Sequence, residues 1–346
     1  MGLLIAQAHL RIATALERGE LSTRLSRAVS SVFGHVASQR ARRSPESQAR
    51  VIEVIGATLG GSWRTPLALA ITEHLASLGH EVTVLAHGYG ASLVEAREVD
   101  ERSDPREVGD EASMQAKRLA ARGLLHSRAH VVSAPAKARS SVVMSALAGE
   151  RLVVSDGPLH TLAPRFPRRT ILALDARRPW GSGYCPPVGD LRAPVSSLLA
   201  LAHDLAIVRD ELDHETPSEP SAPMLGHRAT VIRATLEPSI ELRNRSYTVV
   251  TACARPDRFL EFLTRRGARV NGHIRLPDHA RNHAEALLRA ELSRYEPKDP
   301  LLLTQKCAEA LKTSLKGLEY STIGLSLSPD DIATLITPFL REASLV

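Results

Sequence analysis

Short β-branched runs alternate with stretches of helical periodicity along most of the chain. Residues 51–55 are mostly apolar and are followed by Gly56. After a glycine-rich loop, Pro66 opens a helical pattern carried by Leu67, Leu69, Ile71, Leu75 and Leu78 and stopped by Gly79. A second apolar run at 82–85 follows directly, so the chain reads strand, helix, strand, the signature of a parallel sheet with a crossover. Runs at 130–133, 152–155 and 171–174 continue the alternation, and residues 301–304 form another strand that ends in Gln305-Lys306. Ligands in such sheets gather at the carboxyl ends of the strands. Ahead of these runs lies a different pattern. Leu21, Leu25, Val29, Val32, Phe33 and Val36 share one helical face while Arg18, Arg24 and Arg27 project from others, which predicts an amphipathic basic helix. Its stripe packs either on the protein's own core or on an anionic membrane surface, and the pattern leaves both open. The charged, Pro45-containing stretch from residue 40 to 46 breaks the helix and marks a first boundary.

A length of 346 residues favours two domains. With 43% hydrophobic and 24% charged residues, the chain has the material for a core and is too apolar to be disordered. The net charge of +6 is uneven: residues 1–50 hold eight Arg against three Glu, so the basicity belongs to the N-terminal segment rather than to the body. Aromatic residues make up only 3%, too few for base-stacking platforms, so no nucleic-acid partner is expected. Cys185, Cys253 and Cys307 are far apart with no CxxC spacing, which suggests neither a disulfide framework nor a zinc site. No run approaches the roughly 20 apolar residues that cross a bilayer, and the start Gly2-Leu3-Leu4-Ile5-Ala6 lacks the flanks of a secretory signal, so a cytoplasmic protein is expected.

Candidate chemistry sits at the strand ends. The loop Gly56-Ala57-Thr58-Leu59-Gly60-Gly61-Ser62-Trp63-Arg64-Thr65-Pro66 has the outline of a phosphate loop in which Trp63-Arg64-Thr65 takes the place of Gly-Lys-Thr. Arg keeps the charge and grips phosphate in a bidentate way, although its planar fork is no copy of an ammonium. An ordinary glycine-rich turn is the competing reading. Asp110 and Glu111 stand at a helix start, where carboxylates also serve as caps. Asp156 ends an apolar run, the usual place of a Mg²⁺ carboxylate in phosphate-loop enzymes and also of a plain Asp-Gly turn. In Pro277-Asp278-His279-Ala280-Arg281-Asn282-His283, the two His would share a helical face, and the readings are surface histidines beside a capping Asp, a general acid/base, or metal ligands.

Taken in order, these pieces resemble the tetraacyldisaccharide 4'-kinase family, which phosphorylates a lipid A precursor at the inner membrane of Gram-negative bacteria. The family's Gly-Gly-Thr-Gly-Lys-Thr-Pro is matched by Gly60-Gly61-Ser62-Trp63-Arg64-Thr65-Pro66, its Arg-Gly-Tyr-Gly by His87-Gly88-Tyr89-Gly90, and its Val-Gly-Asp-Glu by Val108-Gly109-Asp110-Glu111. Its Asp-Asp-Gly-x-Gln-His is similar to Ser155-Asp156-Gly157-Pro158-Leu159-His160. Its Gly-x-Gly and Pro-x-Gly-x-Leu-Arg-Glu-Pro resemble Gly181-Ser182-Gly183 and the stretch from Pro187 to Pro194, with Ala193 for the Glu. Pro256-Asp257-Arg258-Phe259, Pro277-Asp278-His279 and Thr304-Gln305-Lys306-Cys307 extend the likeness, which covers about residues 50 to 310.

The resemblance implies an α/β fold: a P-loop NTPase-like parallel sheet domain at residues 45–225, a second, smaller α/β domain with hinge strands at 226–346, and a membrane-surface segment at 1–44. It implies an ATP-dependent kinase acting on the 4'-hydroxyl of a tetraacyl glucosamine disaccharide 1-phosphate. The ATP phosphates would lie on Thr58, Leu59, Gly60, Gly61, Ser62, Trp63, Arg64 and Thr65. Thr65 and Asp156 would hold Mg²⁺, and Asp110 with His279 would form the base dyad. Its partners would be the acylated precursor and the anionic inner-membrane surface, on whose cytoplasmic face the protein would sit peripherally. The alternative expectation is a catalytically weak or inactive homologue that binds lipid or a protein partner.

Overall fold

The computed structural model describes residues 2–40, 50–88, 91–157, 167–212, 226–277, 281–295 and 299–343. In chain order the elements are α1 (Gly2–Arg18), α2 (Arg24–Arg40), β1 (Val51–Gly56), α3 (Arg64–Ser77), β2 (Val82–His87), β3 (Arg97–Val99), α4 (Pro105–Val108), α5 (Asp110–Ala121), β4 (Ala129–Ala134), α6 (Arg139–Ala148), β5 (Leu152–Asp156), β6 (Arg169–Asp175), α7 (Val195–Leu201) and β7 (Asp204–Asp210). They continue with β8 (Arg228–Pro238), β9 (Ser246–Thr251), α8 (Pro256–Arg265), β10 (Arg269–Arg275), α9 (Arg281–Tyr295), β11 (Leu301–Thr304), α10 (Gln305–Ala310), β12 (Tyr320–Leu327) and α11 (Pro329–Glu342).

The chain divides into two compact units, one of Gly19–Thr235 with Ser326–Val346, the other of Met1–Arg18 with Leu236–Leu325. The larger is built on strands in the order β8-β7-β6-β1-β5-β2-β4-β3, parallel throughout except for β3. β1 and β6 are buried along their whole length, as strands covered on both faces must be, which explains their nearly unbroken apolar runs. The charges they carry are paired: Glu53 with Arg168 at 2.6 Å, and Arg169 with Asp204 at 2.5 Å. α3, which joins β1 to β2, buries Leu67, Ile71 and Leu75, each contributing roughly 1.5–3 kcal/mol. α11 belongs to this unit as well. It buries Ile332, Leu335, Ile336 and Phe339 and is held by Arg233 on Asp331 at 2.9 Å. The smaller unit has parallel strands in the order β10-β9-β11-β12, and its core gathers Val250, Ile274, Leu287, Leu288, Leu301 and Leu303.

The two N-terminal helices do not form a separate segment. Gly19, at φ 67°, ends α1. α1 buries Ala6 in the core of the smaller unit, and Glu17 meets Arg275 at 3.4 Å. α2 packs in the larger unit through small residues: Ser30 Oγ donates to the Cys185 carbonyl at 2.7 Å, Ser38 meets Ser197 at 2.7 Å, and Ala37 enters the core. Its large apolar residues Leu25, Val29, Val32, Phe33 and Val36 are exposed. The face that packs is the one carrying the small residues, so the stripe of large apolar residues does not lie on the protein's own core. The unit boundary also falls inside β8 rather than before it, because Arg228 and Ile232 pair with β7. No helix among the described residues is long and apolar enough to cross a membrane.

Candidate phosphate-binding site

The strand order reverses at β1. From β1 the chain runs through α3 to β2 on one side, whereas β5 leads to β6 on the other. The carboxyl ends of β1 and β5 consequently lie side by side, with Val54 in register with Asp156. This is the crevice in which α/β sheets bind ligands.

The loop after β1 folds tightly over the strand end. A Cβ at Gly56 would lie 2.0 Å from Ser62 Oγ and 3.0 Å from Ser62 Cβ, so a larger residue there would displace the Ser62 side chain. Thr58 Oγ1 donates to the Gly60 carbonyl at 2.7 Å. A second segment braces the loop from outside: Leu59 N–H donates to the Asp190 carbonyl at 2.8 Å, and Arg192 Nε and Nη2 donate to the carbonyls of Thr58 and Leu59 at 2.8 and 3.1 Å. Asp190 is held in turn by the Ser182 amide and hydroxyl at 2.8 and 2.9 Å. Trp63 is the N-cap of α3, at φ 62° and ψ 12°. This left-handed conformation costs a non-glycine residue about 1–2 kcal/mol, and it accounts physically for a glycine at the matching position of the family motif. The first-turn amides of α3 beyond it form the usual anion-binding end of a helix.

Arg64 follows Trp63 and reaches across the crevice. Its Nε donates to Asp156 Oδ1 at 2.5 Å and its Nη2 to Glu111 Oε2 at 3.2 Å, while the Thr65 hydroxyl lies 3.5 Å from Nη2. Asp156 is fully buried, and its Oδ2 accepts from Gln115 Nε2 at 2.9 Å. Glu111 and Gln115 stand one helical turn apart on α5 and so face the same way. Asp110 is buried at the start of that helix, with Oδ1 accepting from the Glu111 amide at 2.9 Å.

Behind the carboxylates, Arg139 is completely buried. Its Nη1 donates to the Ala86 carbonyl, and its Nη2 is shared among the Leu85 carbonyl, Ser155 Oγ and the Asp156 carbonyl, all at 2.9–3.2 Å. Burial lowers its pKa to about 10, against the opposing pull of Asp156 and Glu53, so it stays cationic at neutral pH. Burial, and then the Arg64 charge, lower Arg192 as well.

His87, ending β2, is pushed down to about 4, first by burial and then by the Arg139 and Arg64 charges, so it is neutral at pH 7. An unfolded histidine takes its proton near 6.5. Between those values the unfolded chain binds more protons, and stability falls as the pH drops from 6.5 toward 4. The loss is at most about 3 kcal/mol, and roughly 1–2 kcal/mol once the partial exposure of the ring is allowed for. His87→Gln is expected to flatten that part of the curve of unfolding free energy against pH. Equal slopes for the two proteins would refute the assignment.

The structure thus brings together residues 58–65, Asp156, Glu111 and Asp110. His279 lies outside the described residues, as do Tyr89, Gly90 and residues 158–166. Gln115 and Arg139 belong to none of the sequence motifs, and Arg192 belongs to the Pro187–Pro194 stretch without a role that the sequence assigns. Gln115 has a usable signal in its spacing from Glu111, whereas Arg139 reaches the ends of β2 and β5, and Arg192 the loop, only through the fold.

A model of the family LpxK, tetraacyldisaccharide-1-P 4'-kinase, matches residues 22–339. The chain is 29% identical over 326 residues to a tetraacyldisaccharide 4'-kinase of Methylobacterium sp. (strain 4-46), covering 91% of this chain and 92% of the relative. It is 31% identical over 305 residues to that of Anaeromyxobacter dehalogenans (strain 2CP-C), covering 81% and 72%. The crystal structure of LpxK from Aquifex aeolicus in complex with ATP shares the fold, with a TM-score of 0.59 at 18% identity over 90% of this chain and 97% of that one. With its family model matched along most of its length and its strand-end loop in the expected place, the chain belongs to the tetraacyldisaccharide-1-P 4'-kinase family.

Proposed function

We propose that this chain transfers the γ-phosphoryl group of ATP to the 4'-hydroxyl of a tetraacyl glucosamine disaccharide 1-phosphate. The observation that supports this best is the convergence of Arg64, Arg192 and the α3 N-terminus on one glycine-rich loop, opposite buried carboxylates. A triphosphate suits such a site because helix amides and guanidinium groups both stabilise the charge that spreads over the transferring oxygens.

In this reading residues Thr58 to Thr65 cradle the phosphates. Arg64 exchanges its carboxylate partners for phosphate oxygens, which its fork grips equally well. Thr65, Asp156 and Glu111 offer buried oxygens, and Gln115 Oε1 is buried without a hydrogen-bond partner among the described residues, so an all-oxygen donor set is present that fits Mg²⁺. Bound by Thr65 and Asp156, Mg²⁺ supplies charge neutralisation at the phosphates. Asp110 is assigned the carboxylate, and His279 the imidazole, that together take the proton of the attacking hydroxyl.

The protein acts peripherally at the cytoplasmic face of the inner membrane, where the exposed Leu25, Val29, Val32 and Phe33 of α2, flanked by Arg24 and Arg27, meet anionic lipid. Val32→Glu with Phe33→Glu is expected to weaken salt-sensitive binding to anionic vesicles, and unchanged binding counts against the anchor.

One observation favours a second reading, a homologue that binds lipid or a partner without turnover: Arg64 already neutralises Asp156 and Glu111. Calorimetry with Mg·ATP and a transfer assay on the lipid disaccharide separate the two. Wild-type protein is expected to bind Mg·ATP and to turn over slowly. Trp63→Gly with Arg64→Lys relieves the left-handed strain and frees the carboxylates, and is expected to raise turnover about tenfold or more. His279→Ala is expected to lower kcat much more than ATP affinity. Absence of both binding and transfer in every form would leave the second reading standing.

A further inference from the structure

We propose that Glu98, His126 and His130 form a binding site for a divalent transition-metal ion of the zinc class, at the β3–β4 end of the larger unit's sheet. Among the described residues these three form a group whose potential ligand atoms all lie within 4.8 Å of one another. Glu98 Oε1 is 2.9 Å from His130 Nδ1 and 3.5 Å from His126 Nδ1. Bonds of about 2.0–2.1 Å meeting at the tetrahedral angle place neighbouring ligand atoms about 3.3–3.4 Å apart, so the His126 spacing is close to that of a bound set and the His130 spacing opens by about half an ångström to reach it.

The backbone arranges this convergence. β3 runs antiparallel to β4 with Glu98 opposite Val132, which puts Glu98 on the same sheet face as His130, two residues away. His126 comes from the turn entering β4. Its amide donates to the Ala129 carbonyl at 2.8 Å, and it holds a left-handed φ of 60°. Its ring meets that of His130 edge-on, at 71° with centroids 6.2 Å apart, so the two imidazoles converge without stacking.

Two imidazoles and one carboxylate suit Zn²⁺, Co²⁺ or Ni²⁺ rather than Mg²⁺ or Ca²⁺, which take oxygen ligands. Three protein ligands leave a fourth position for water. His130 lies near the amino end of β4, whereas the phosphate loop follows the carboxyl end of β1, a strand that runs in the same direction, so the site is separate from the kinase chemistry. Its effect is to tie β3, the last strand in the order, to β4 and the turn before it.

The test uses the full chain, stripped with EDTA and titrated with Co²⁺, and with Zn²⁺ against a chromogenic indicator. One equivalent is expected to bind, with the visible bands of four-coordinate Co²⁺, and excess Mg²⁺ is expected not to displace it. His126→Asn, which tolerates the left-handed backbone, and His130→Gln are each expected to weaken Zn²⁺ binding about tenfold or more and to abolish the bands. Zn²⁺ is expected to raise the Tm of the wild type but not of His130→Gln. Glu98→Gln, on the exposed strand, provides a third variant should either histidine change disturb folding. Failure to bind one equivalent, or unchanged affinity in the folded variants, would overturn the proposal.

Discussion

Replacing Asp156 by Asn is expected to lower phosphoryl transfer about 100- to 1,000-fold, the scale on which a single group stabilising transition-state charge is felt. Asp156 has no exposed surface, and each of its oxygens accepts a hydrogen bond, one from Arg64 and one from Gln115. Asn keeps the shape but removes the charge and turns one of these acceptors into a donor, which faces either Arg64 or Gln115. Arg64 then keeps its ion pair with Glu111 but loses the one with Asp156. Steady-state ADP release, measured over a range of Mg²⁺ concentrations at a temperature where circular dichroism shows the variant folded, isolates the catalytic part. A kcat equal to that of the wild type would remove Asp156 from the proposed chemistry.

Arg139→Leu is expected to destabilise the larger unit by about 3–5 kcal/mol, because breaking a buried, charge-bearing network leaves its partners uncompensated. The guanidinium donates to three main-chain carbonyls and the Ser155 hydroxyl, and it faces the negative charge of Asp156 and Glu53. Leucine fills much of the volume and satisfies none of these groups, and each orphaned buried acceptor costs about 1–3 kcal/mol. Arg139→Lys retains the charge but not the planar fork, so a smaller loss is expected. Urea unfolding followed by far-ultraviolet circular dichroism measures both. A loss below about 1 kcal/mol for the leucine variant would mean that water replaces the guanidinium, contrary to its complete burial. The same cation holds the ends of β2 and β5 together, so the stability of the core and the geometry of the crevice depend on one side chain.

Much of the larger unit was readable from local pattern. The apolar runs from residue 51 to residue 174 coincide with β1, β2, β4, β5 and β6 to within two residues at each end, and the pattern opened by Pro66 coincides with α3. Parallel strands buried on both faces need continuous apolar sequence, and nothing beyond nearest neighbours is required to see it. Several elements were less legible. β8 and β10 alternate with Arg, Asn and His and carry little apolar signal. α1 is short of charge and reads as a featureless apolar start. The amphipathic stripe of α2 was visible, but the faces were not: Ser30 and Ala37 point inward because only small side chains fit against the segment around Cys185.

For the site, chain order was enough to mark the loop, Asp110, Glu111 and Asp156, because strand ends and helix starts are local features. The conversion of Trp63 to a left-handed N-cap, the grip of Arg64 on Asp156 and Glu111, and the support from Arg139 and Arg192 came only with the fold. Arg64 and Asp156 are 92 residues apart and Arg192 is 134 from Thr58, and no periodicity carries information over such distances. Local sequence determined which segments became strand, loop and helix through backbone preference and one-sided burial. Tertiary structure alone decided which charges meet, since partner choice among buried ions follows from sheet order and from the cost of leaving any of them unpaired.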